Sequence, residues 1–282
     1  MGKNQRQKNA EMIKKSTEKF YREARFEEMD SLFSGNYVYM HTYYETKRRA
    51  IENLDLFTAK NVLDVGCGQG HLLKLISESF EKLECIGVDL NFEDLKRAKR
   101  RCSSKKCTFV LAEASCLPFI DESFDRVACT AVLEHVVDEK KVLREIWRVL
   151  NNGGVAVLDV PGKYHLQNKL SDFFVKKYDV FPFHREYSEK QVKFLIASTG
   201  FWLLSFNTAR FVGSFFLPII ETVYTCNRRK IVWCKGIIAK LVCKIGDKLS
   251  SSCGKRKYLK LFGGSWFFKI KKAPQLSQPN PV

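Results

Sequence analysis

Residues 61–73, NVLDVGCGQGHLL, contain an apolar run, a glycine-rich turn and the first residues of a helical pattern. A short apolar run that ends at turn residues is typical of a buried strand. Glycine lets the backbone turn sharply and approach a ligand closely. The stretch therefore predicts a strand, a tight turn and a helix. Turns at such a junction bind several unrelated cofactors, so the neighbouring residues must decide which one is bound.

Strand-like and helix-like segments alternate downstream of this stretch. The predicted strands are near-continuous apolar runs, which indicates a parallel sheet covered by helices on both faces. These strands cover residues 61–66, 84–90, 107–114, 124–133 and 154–162, and the helices cover residues 71–80, 92–102 and 139–150. Crossovers of this length predict an α/β fold with a doubly wound, mostly parallel sheet, in which ligands bind at the carboxyl ends of the strands.

The pattern loosens after residue 162. A helix is expected to begin at Ser188, with Gln191 as its capping-box partner, and to stop at Gly200. A strand follows, and GGSWFFKIKK predicts a last strand whose basic end is exposed. The expected units are an N-terminal helical or lid segment, the core, a basic amphipathic helical insertion, the last strand of the core and a flexible tail. Their ranges are 1–56, 57–208, 209–263, 264–272 and 273–282.

The net charge of +17 is concentrated at the two ends of the 282-residue chain. Residues 1–26 carry +5, residues 226–272 carry +13, and the 199 residues between them carry −1. The N-terminus has no apolar run typical of a signal peptide, and the apolar stretch 211–220 is shorter than a bilayer requires. Ten irregularly spaced cysteines indicate a reducing cytoplasm, and no metal site is predicted.

The glycine spacing argues against a nicotinamide cofactor. The glycines of the turn are Gly66, Gly68 and Gly70. A dinucleotide site requires G-x-G-x-x-G, whose last position is His71 here. Asp64 would repel a pyrophosphate but suits a ligand with an ammonium group. Asp89 ends the second strand, where a carboxylate can accept hydrogen bonds from both ribose hydroxyls.

Several segments together resemble one family, the class I S-adenosylmethionine-dependent methyltransferases of the small-molecule, type 11-like group. VLDVGCGQG is similar to the first motif of that family and GVDL to its ribose-binding segment. AEASCLPFIDESFDRV, VLEHVVDEKKVLREIWRVLNNGGVAVLDVP and REYSEKQVKFLIASTGF resemble later segments in the same order, so the resemblance covers residues 59–201. It implies a seven-stranded Rossmann-like methyltransferase fold and S-adenosylmethionine as the cofactor.

The resemblance also implies a set of cofactor contacts. Asp64 would contact the methionine ammonium group, directly or through water, and Asp89 would bind the ribose. The glycines Gly66, Gly68 and Gly70 would line the methionyl side. Leu90, Glu113 and Ala114 would lie near the adenine, with Glu113 standing where the family usually has Asp. Cys67, between two of the glycines, is expected to be a small apolar residue rather than a nucleophile.

Two histidines are candidate bases for an acceptor hydroxyl. His184 lies in a predicted loop over the strand ends and His135 follows the fourth strand; each has an alternative structural role. Some quinone-pathway relatives have E-x-x-E-H here, associated with a metal, but Ala131 replaces the first acid and no metal is predicted. The Tyr-rich residues 37–44 are expected either to form a lid or simply to pack.

The sequence defines the methyl acceptor less well than it defines the cofactor. Residues 230–249 form a basic amphipathic pattern, which fits either a helix packed on the domain or one lying on an anionic membrane. We expect a cytoplasmic methyltransferase, peripheral to the membrane if the basic helix lies on it, that methylates oxygen or carbon of a small-molecule or lipid-linked acceptor. One alternative is an RNA-directed methyltransferase whose basic ends contact phosphates. A further alternative is a non-catalytic module that binds S-adenosylmethionine.

Overall fold

The computed structural model describes residues 37–102, 106–163, 185–209 and 265–273. Its helices in these ranges are α1 (Tyr37–Asn53), α2 (His71–Ser79), α3 (Phe92–Arg101), α4 (Glu139–Val149) and α5 (Glu189–Ser198). Its strands are β1 (Asn61–Val65), β2 (Glu84–Asp89), β3 (Cys107–Leu111), β4 (Phe124–Thr130), β5 (Leu150–Pro161), β6 (Phe201–Ala209) and β7 (Ser265–Lys272). Two short 3-10 helices, Leu56–Thr58 and Leu133–His135, lie before β1 and after β4.

The strands form one seven-stranded sheet in the order β3-β2-β1-β4-β5-β7-β6. Strands β1 to β5 pair in parallel, and β7 is antiparallel to both of its neighbours. Ser265 at the start of β7 pairs with Pro161 of β5 on one side and with Ala209 of β6 on the other. The predicted α/β fold with a doubly wound, mostly parallel seven-stranded sheet is confirmed.

Helices cover both faces of the sheet because the strands have apolar side chains on both faces. On one face, α4 and α5 pack against the sheet through buried side chains that include Leu143, Ile146 and Ile196. On the other face, α1 and α2 contribute Ile51, Leu72 and other buried apolar side chains. The central strands β1 and β4 are thereby buried, and their carboxyl ends meet at one edge.

The helix ends follow the sequence signals. Asn91 caps α3, since its Oδ1 accepts hydrogen bonds from the amides of Glu93 and Asp94 at 3.0 and 3.2 Å. The predicted capping box of α5 is present, with Ser188 and Gln191 bonded reciprocally. Gly200 follows the helix with a φ of +84°, a left-handed conformation that favours glycine.

The prediction that β7 ends in an exposed basic segment is wrong for its last residue. Lys272 is only 1% exposed. Its Nζ donates to the carbonyl oxygen of Leu150 at 2.8 Å and to Glu122 Oε1 at 3.1 Å, and lies 4.1 Å from the centre of the Trp147 ring. Burial is tolerated because a carbonyl, a carboxylate and an aromatic face together replace water around the ammonium group.

Several predicted units lie wholly or largely outside the described residues. These are residues 1–36 of the N-terminal segment, nearly all of the predicted insertion 209–263, and the tail beyond residue 273. The division of the chain into these units stays a prediction. Within the described ranges, no helix combines the length and hydropathy needed to cross a membrane.

Candidate functional site

The glycine turn joins the carboxyl end of β1 to the first turn of α2. The amides of Gly66 and Cys67 both donate to the carbonyl oxygen of Val88, at 2.8 and 2.9 Å, so the turn is attached to the end of β2. The amide of Gly70 donates to the carbonyl oxygen of Cys67 at 3.0 Å and closes the turn. The turn is thus a fixed surface at the carboxyl edge of the sheet, where ligands of such folds bind.

Each glycine of the turn has a positive φ, and the space around them differs. A Cβ added at Gly66 would lie 2.3 Å from Cγ2 of Val132, which excludes any side chain there. A Cβ at Gly68 would meet no atom within 4 Å. The turn is therefore packed against the protein at Gly66 and faces open space at Gly68, which is where a ligand can approach the backbone.

Asp89 ends β2 beside this turn and is half-buried. Its Oδ2 accepts a hydrogen bond from the amide of Gly68 at 2.7 Å, and its Oδ1 accepts one from the amide of Asn91 at 2.9 Å. These two amides fix the orientation of the carboxylate. Because each carboxylate oxygen has a second lone pair, Asp89 can still accept two ribose hydroxyls.

Asp64 lies next to the turn on β1 and is 1% exposed. Neither of its carboxylate oxygens has a hydrogen-bond partner in the described part of the chain. Burial raises its pKa from 3.8 to about 7; the positive charge of Lys47 opposes this rise and the negative charge of Asp89 adds to it. A buried carboxyl with both oxygens unsatisfied is costly, and a cationic hydrogen-bond donor would relieve that cost.

Lys47 reaches this region from α1 and is only 6% exposed. Its Nζ donates to Oγ1 of Thr130, the last residue of β4, at 2.6 Å. Its charge lowers the pKa of Asp64 and of the Cys67 thiol, although burial, the larger effect, raises both. The ammonium group of Lys47 therefore lies near both β1 and the glycine turn without a hydrogen bond to Asp64.

A second contact ties α1 to the turn. The hydroxyl of Tyr44 lies 2.9 Å from Nδ1 of His71, the first residue of α2, and both side chains are buried. Burial, together with the positive charges of Arg101, Lys47 and Lys74, lowers the pKa of His71, so this imidazole is neutral at neutral pH. Tyr44 belongs to the predicted Tyr-rich segment, and it fastens α1 to the glycine turn. The side chains of residues 37–43 lie outside the described set.

The residues expected near the adenine lie beyond the ends of β2 and β3. Leu90 is 72% exposed, so it is not part of the core and its apolar surface is available to a ligand. Glu113 is exposed and accepts a hydrogen bond from the Ser115 hydroxyl, and Ala114 is half-buried. The exposed Leu111, at the end of β3, adds apolar surface beside them.

The structure describes one of the two predicted bases, His135, and not the other. His135 is exposed at the end of the short helix after β4, so it stands at the same edge of the sheet as the turn. His184 lies outside the described residues. The next residue, Arg185, is held against the loop after β4, since its amide donates to the carbonyl oxygen of Glu134 at 3.1 Å and its guanidinium pairs with Glu139. The base assignments stay predictions.

Three features fit a cofactor with a cationic amino-acid end and a ribose. They are the unsatisfied carboxyl of Asp64, the open approach to the backbone at Gly68 and the oriented carboxylate of Asp89. Cys67 is buried beside them, and burial raises the pKa of its thiol, so it is a neutral packing residue. No group of three or more His, Cys, Asp or Glu side chains suited to a metal occurs in the part of the chain that the structure describes.

Comparison with known proteins agrees with this geometry. A family model described as a methyltransferase domain matches residues 63–158, which contain the glycine turn and both aspartates. Residues 63–158 therefore form a domain of the methyltransferase type. The match includes four of the five parallel strands in full or in large part and ends within β5.

Two curated relatives match about half of the chain. A chloroplastic 2-methyl-6-phytyl-1,4-hydroquinone methyltransferase 2 of Oryza sativa subsp. japonica is 32% identical over 141 residues, which are 50% of this chain and 40% of that protein. A demethylmenaquinone methyltransferase of Thermotoga maritima is 29% identical over 133 residues, 46% of this chain and 57% of that protein. The matched region thus spans about half the length of these relatives.

A solved structure extends the likeness in fold beyond the matched domain. The crystal structure of the cyclase SpnF aligns with a TM-score of 0.56, at 19% identity, over 81% of this chain and 80% of that one. At this identity the likeness concerns the fold alone.

Sequence reasoning missed Lys47 and the contact between Tyr44 and His71. Lys47 lies in the polar run ETKRRA of α1, where nothing distinguishes it from Arg48 or Arg49. Only the packing of α1 on α2 and β4 shows that Lys47 points inward. The neutral state of His71 likewise depends on burial, which its place after the glycine turn did not reveal.

Proposed function

We propose that this protein is an S-adenosylmethionine-dependent methyltransferase that methylates carbon or oxygen of a small-molecule or lipid-linked acceptor. The observation that carries the proposal is the arrangement of Asp64, the glycine turn and Asp89 at one edge of the sheet. This arrangement offers a carboxylate to an ammonium group and a second carboxylate to a ribose. Those are the two ends of the non-adenine part of the cofactor.

The cofactor supplies a methyl group that its sulfonium already activates, so the protein mainly has to align the reactants and exclude water. In this proposal Asp64 and Asp89 hold the two ends of the cofactor, and the rigid turn fixes the distance between them. Alignment of the acceptor with the methyl carbon would then contribute most of the rate. His135 or His184 would accept the proton of a hydroxyl acceptor, whereas an electron-rich carbon requires less assistance.

Two observations support a lipid-linked acceptor at a membrane surface. The relatives named above methylate, by their names, a phytyl hydroquinone and demethylmenaquinone, which are both prenylated rings. The basic excess of this chain lies in residues 1–26 and 226–272, outside the matched domain. Each basic residue near an anionic membrane contributes about 1 kcal/mol, so such segments can hold a cytoplasmic protein there reversibly. We therefore propose a cytoplasmic, membrane-peripheral location.

The basic ends also favour a second candidate, an RNA substrate bound through phosphates. The segment after β4, TAVLEHV, lacks the N-P-P-Y type of sequence that base methyltransferases have at this point. We prefer the small or lipid-linked acceptor, because the two relatives described above are named as methyltransferases of a phytyl hydroquinone and of demethylmenaquinone.

The test combines cofactor binding with membrane binding. Calorimetry would measure S-adenosylmethionine binding to the wild type, to Asp89→Ala and to Glu93→Ala. Glu93 is an exposed acid on α3 that pairs with Lys96, so this control removes a nearby negative charge without touching the site. Co-sedimentation with anionic and neutral vesicles, at low and high salt, would measure membrane binding in parallel.

We expect binding by the wild type and Glu93→Ala, loss of binding in Asp89→Ala, and salt-sensitive sedimentation with anionic vesicles only. Cofactor binding without sedimentation would remove the membrane surface from the proposal and direct the acceptor search to soluble compounds and RNA. A wild type that binds no S-adenosylmethionine would refute the proposed activity.

A further inference from the structure

Lys47 occupies an unusual place for a lysine, because 94% of its surface is buried at the edge of the sheet where the cofactor would lie. Helix α1 carries it there, and that helix is fixed by the contact of Tyr44 with His71 at the glycine turn. Thr130 holds the ammonium group from the end of β4, at 2.6 Å. The hydroxyl of Thr130 thus fixes the position of this buried ammonium group at the edge of the sheet.

The charges around Lys47 match a zwitterion rather than a simple cation. Lys47 bonds to Thr130, which lies on the same face of β4 as Ala128, the residue that pairs with Asp64. Asp64 and Lys47 therefore lie near one another, yet no hydrogen bond joins them. An ammonium group that binds Asp64 alone would enter beside a second, buried ammonium and be repelled by it. A ligand that carries an ammonium and a carboxylate on the same carbon removes this conflict, because it places one charge opposite each side chain.

We propose that Lys47, positioned by Thr130, binds the carboxylate of the cofactor's methionyl group while Asp64 binds its ammonium group. The inference rests on the proposed function, because it assumes that this edge of the sheet binds S-adenosylmethionine. Residues 63–158, which match the methyltransferase domain, do not include Lys47. Helix α1 thus supplies half of the recognition of the amino-acid end, from outside the matched domain.

The decisive comparison uses two ligands that differ only in the carboxylate: S-adenosylmethionine and decarboxylated S-adenosylmethionine. Calorimetry would measure both with the wild type, Lys47→Met and Lys47→Arg. Arg48→Met is the matched control, since Arg48 is the next residue of the same helix and pairs with Glu52 at the surface. Thermal melting of each ligand-free variant would establish that it is folded.

The wild type should bind S-adenosylmethionine about 10- to 100-fold more tightly than the decarboxylated ligand, as expected for one charge-assisted hydrogen bond. Lys47→Met should lose this preference by binding S-adenosylmethionine more weakly and the decarboxylated ligand at least as well as before. Lys47→Arg and Arg48→Met should keep the preference.

Three outcomes would overturn the assignment. One is an equal loss of affinity for both ligands in a folded Lys47→Met variant, which would mean that Lys47 has a structural role. Another is an unchanged preference in that variant. The third is a wild type that binds both ligands equally, and this comparison does not require any variant to fold. A wild type that binds neither ligand would overturn the proposed function as well, so the two failures are distinguishable.

Discussion

The buried carboxyl of Asp64 should make the ligand-free protein less stable as the pH rises, and Asp64→Asn should remove this effect. An unperturbed aspartate carboxyl has a pKa of 3.8, whereas the pKa of Asp64 in the folded protein is about 7, chiefly because of burial. Between these two values the folded protein keeps a proton that the unfolded chain has released. Rising pH therefore favours unfolding throughout that window, and the effect is complete above about pH 7.

The magnitude follows from the two pKa values. Each pH unit in the window costs about 1.4 kcal/mol, so the full interval from 3.8 to about 7 corresponds to about 4 kcal/mol. The variant has no titrating group at this position. The free energy of unfolding of Asp64→Asn minus that of the wild type should accordingly rise by about 1.4 kcal/mol per pH unit and level off above about pH 7.

The assay is urea denaturation of both ligand-free proteins at a series of pH values from about 5 to about 8. Taking the difference between the proteins is necessary because His71 acts in the opposite sense: its pKa is lowered by burial, so it destabilises the fold as the pH falls. Both proteins contain His71, and its effect cancels. A difference that stays constant with pH, or that falls as the pH rises, would refute the reasoning. The variant should also lose S-adenosylmethionine binding in calorimetry, and retained binding would contradict the role of Asp64.

Two further substitutions test the packing around the site and the sheet. Gly66→Ala should lower the free energy of unfolding by about 2 to 4 kcal/mol, because an alanine in the left-handed conformation is strained and its Cβ would overlap Val132. Urea denaturation measures this loss of stability. A loss below about 1 kcal/mol would contradict the close packing of Gly66 against Val132. Lys272→Met should cost about 1 to 3 kcal/mol, because the carbonyl of Leu150 loses its buried donor. The half-buried neighbour Lys271→Met serves as the control, and equal effects of the two lysine substitutions would argue against a special role for Lys272.

The fold was largely predictable because its signals are local. Five apolar runs predicted parallel strands, and the capping box at Ser188 predicted the start of α5 to the residue. The candidate cofactor site could be located for the same reason, since Asp64 and the glycine turn lie within one short stretch, while the individual contacts stay predictions. Asp89 followed from its place at the end of the next strand. In each case a few neighbouring residues carry the whole signal.

The remaining features depend on tertiary contacts. Lys47 and Asp64 are 17 positions apart, and a polar helix segment gives no sign of which basic residue points inward. Lys272 was expected at the surface because a run of lysines is usually solvated, but Leu150 and Trp147 enclose it. The exposure of Leu90 was equally undetermined, since an apolar residue after a strand is compatible with either the core or a ligand surface.

The pairing of Ser265 with both Pro161 and Ala209 has a consequence for the evolution of this protein. Strand β6 ends at Ala209 and β7 begins at Ser265, and these two residues pair with each other beside the carboxyl end of β5. Because the entropic cost of closing a connection grows only slowly with its length, the number of residues between Ala209 and Ser265 can change with little effect on this pairing. The paired ends of β6 and β7 thus allow the chain to vary in length at this point while the order of the strands in the sheet stays the same.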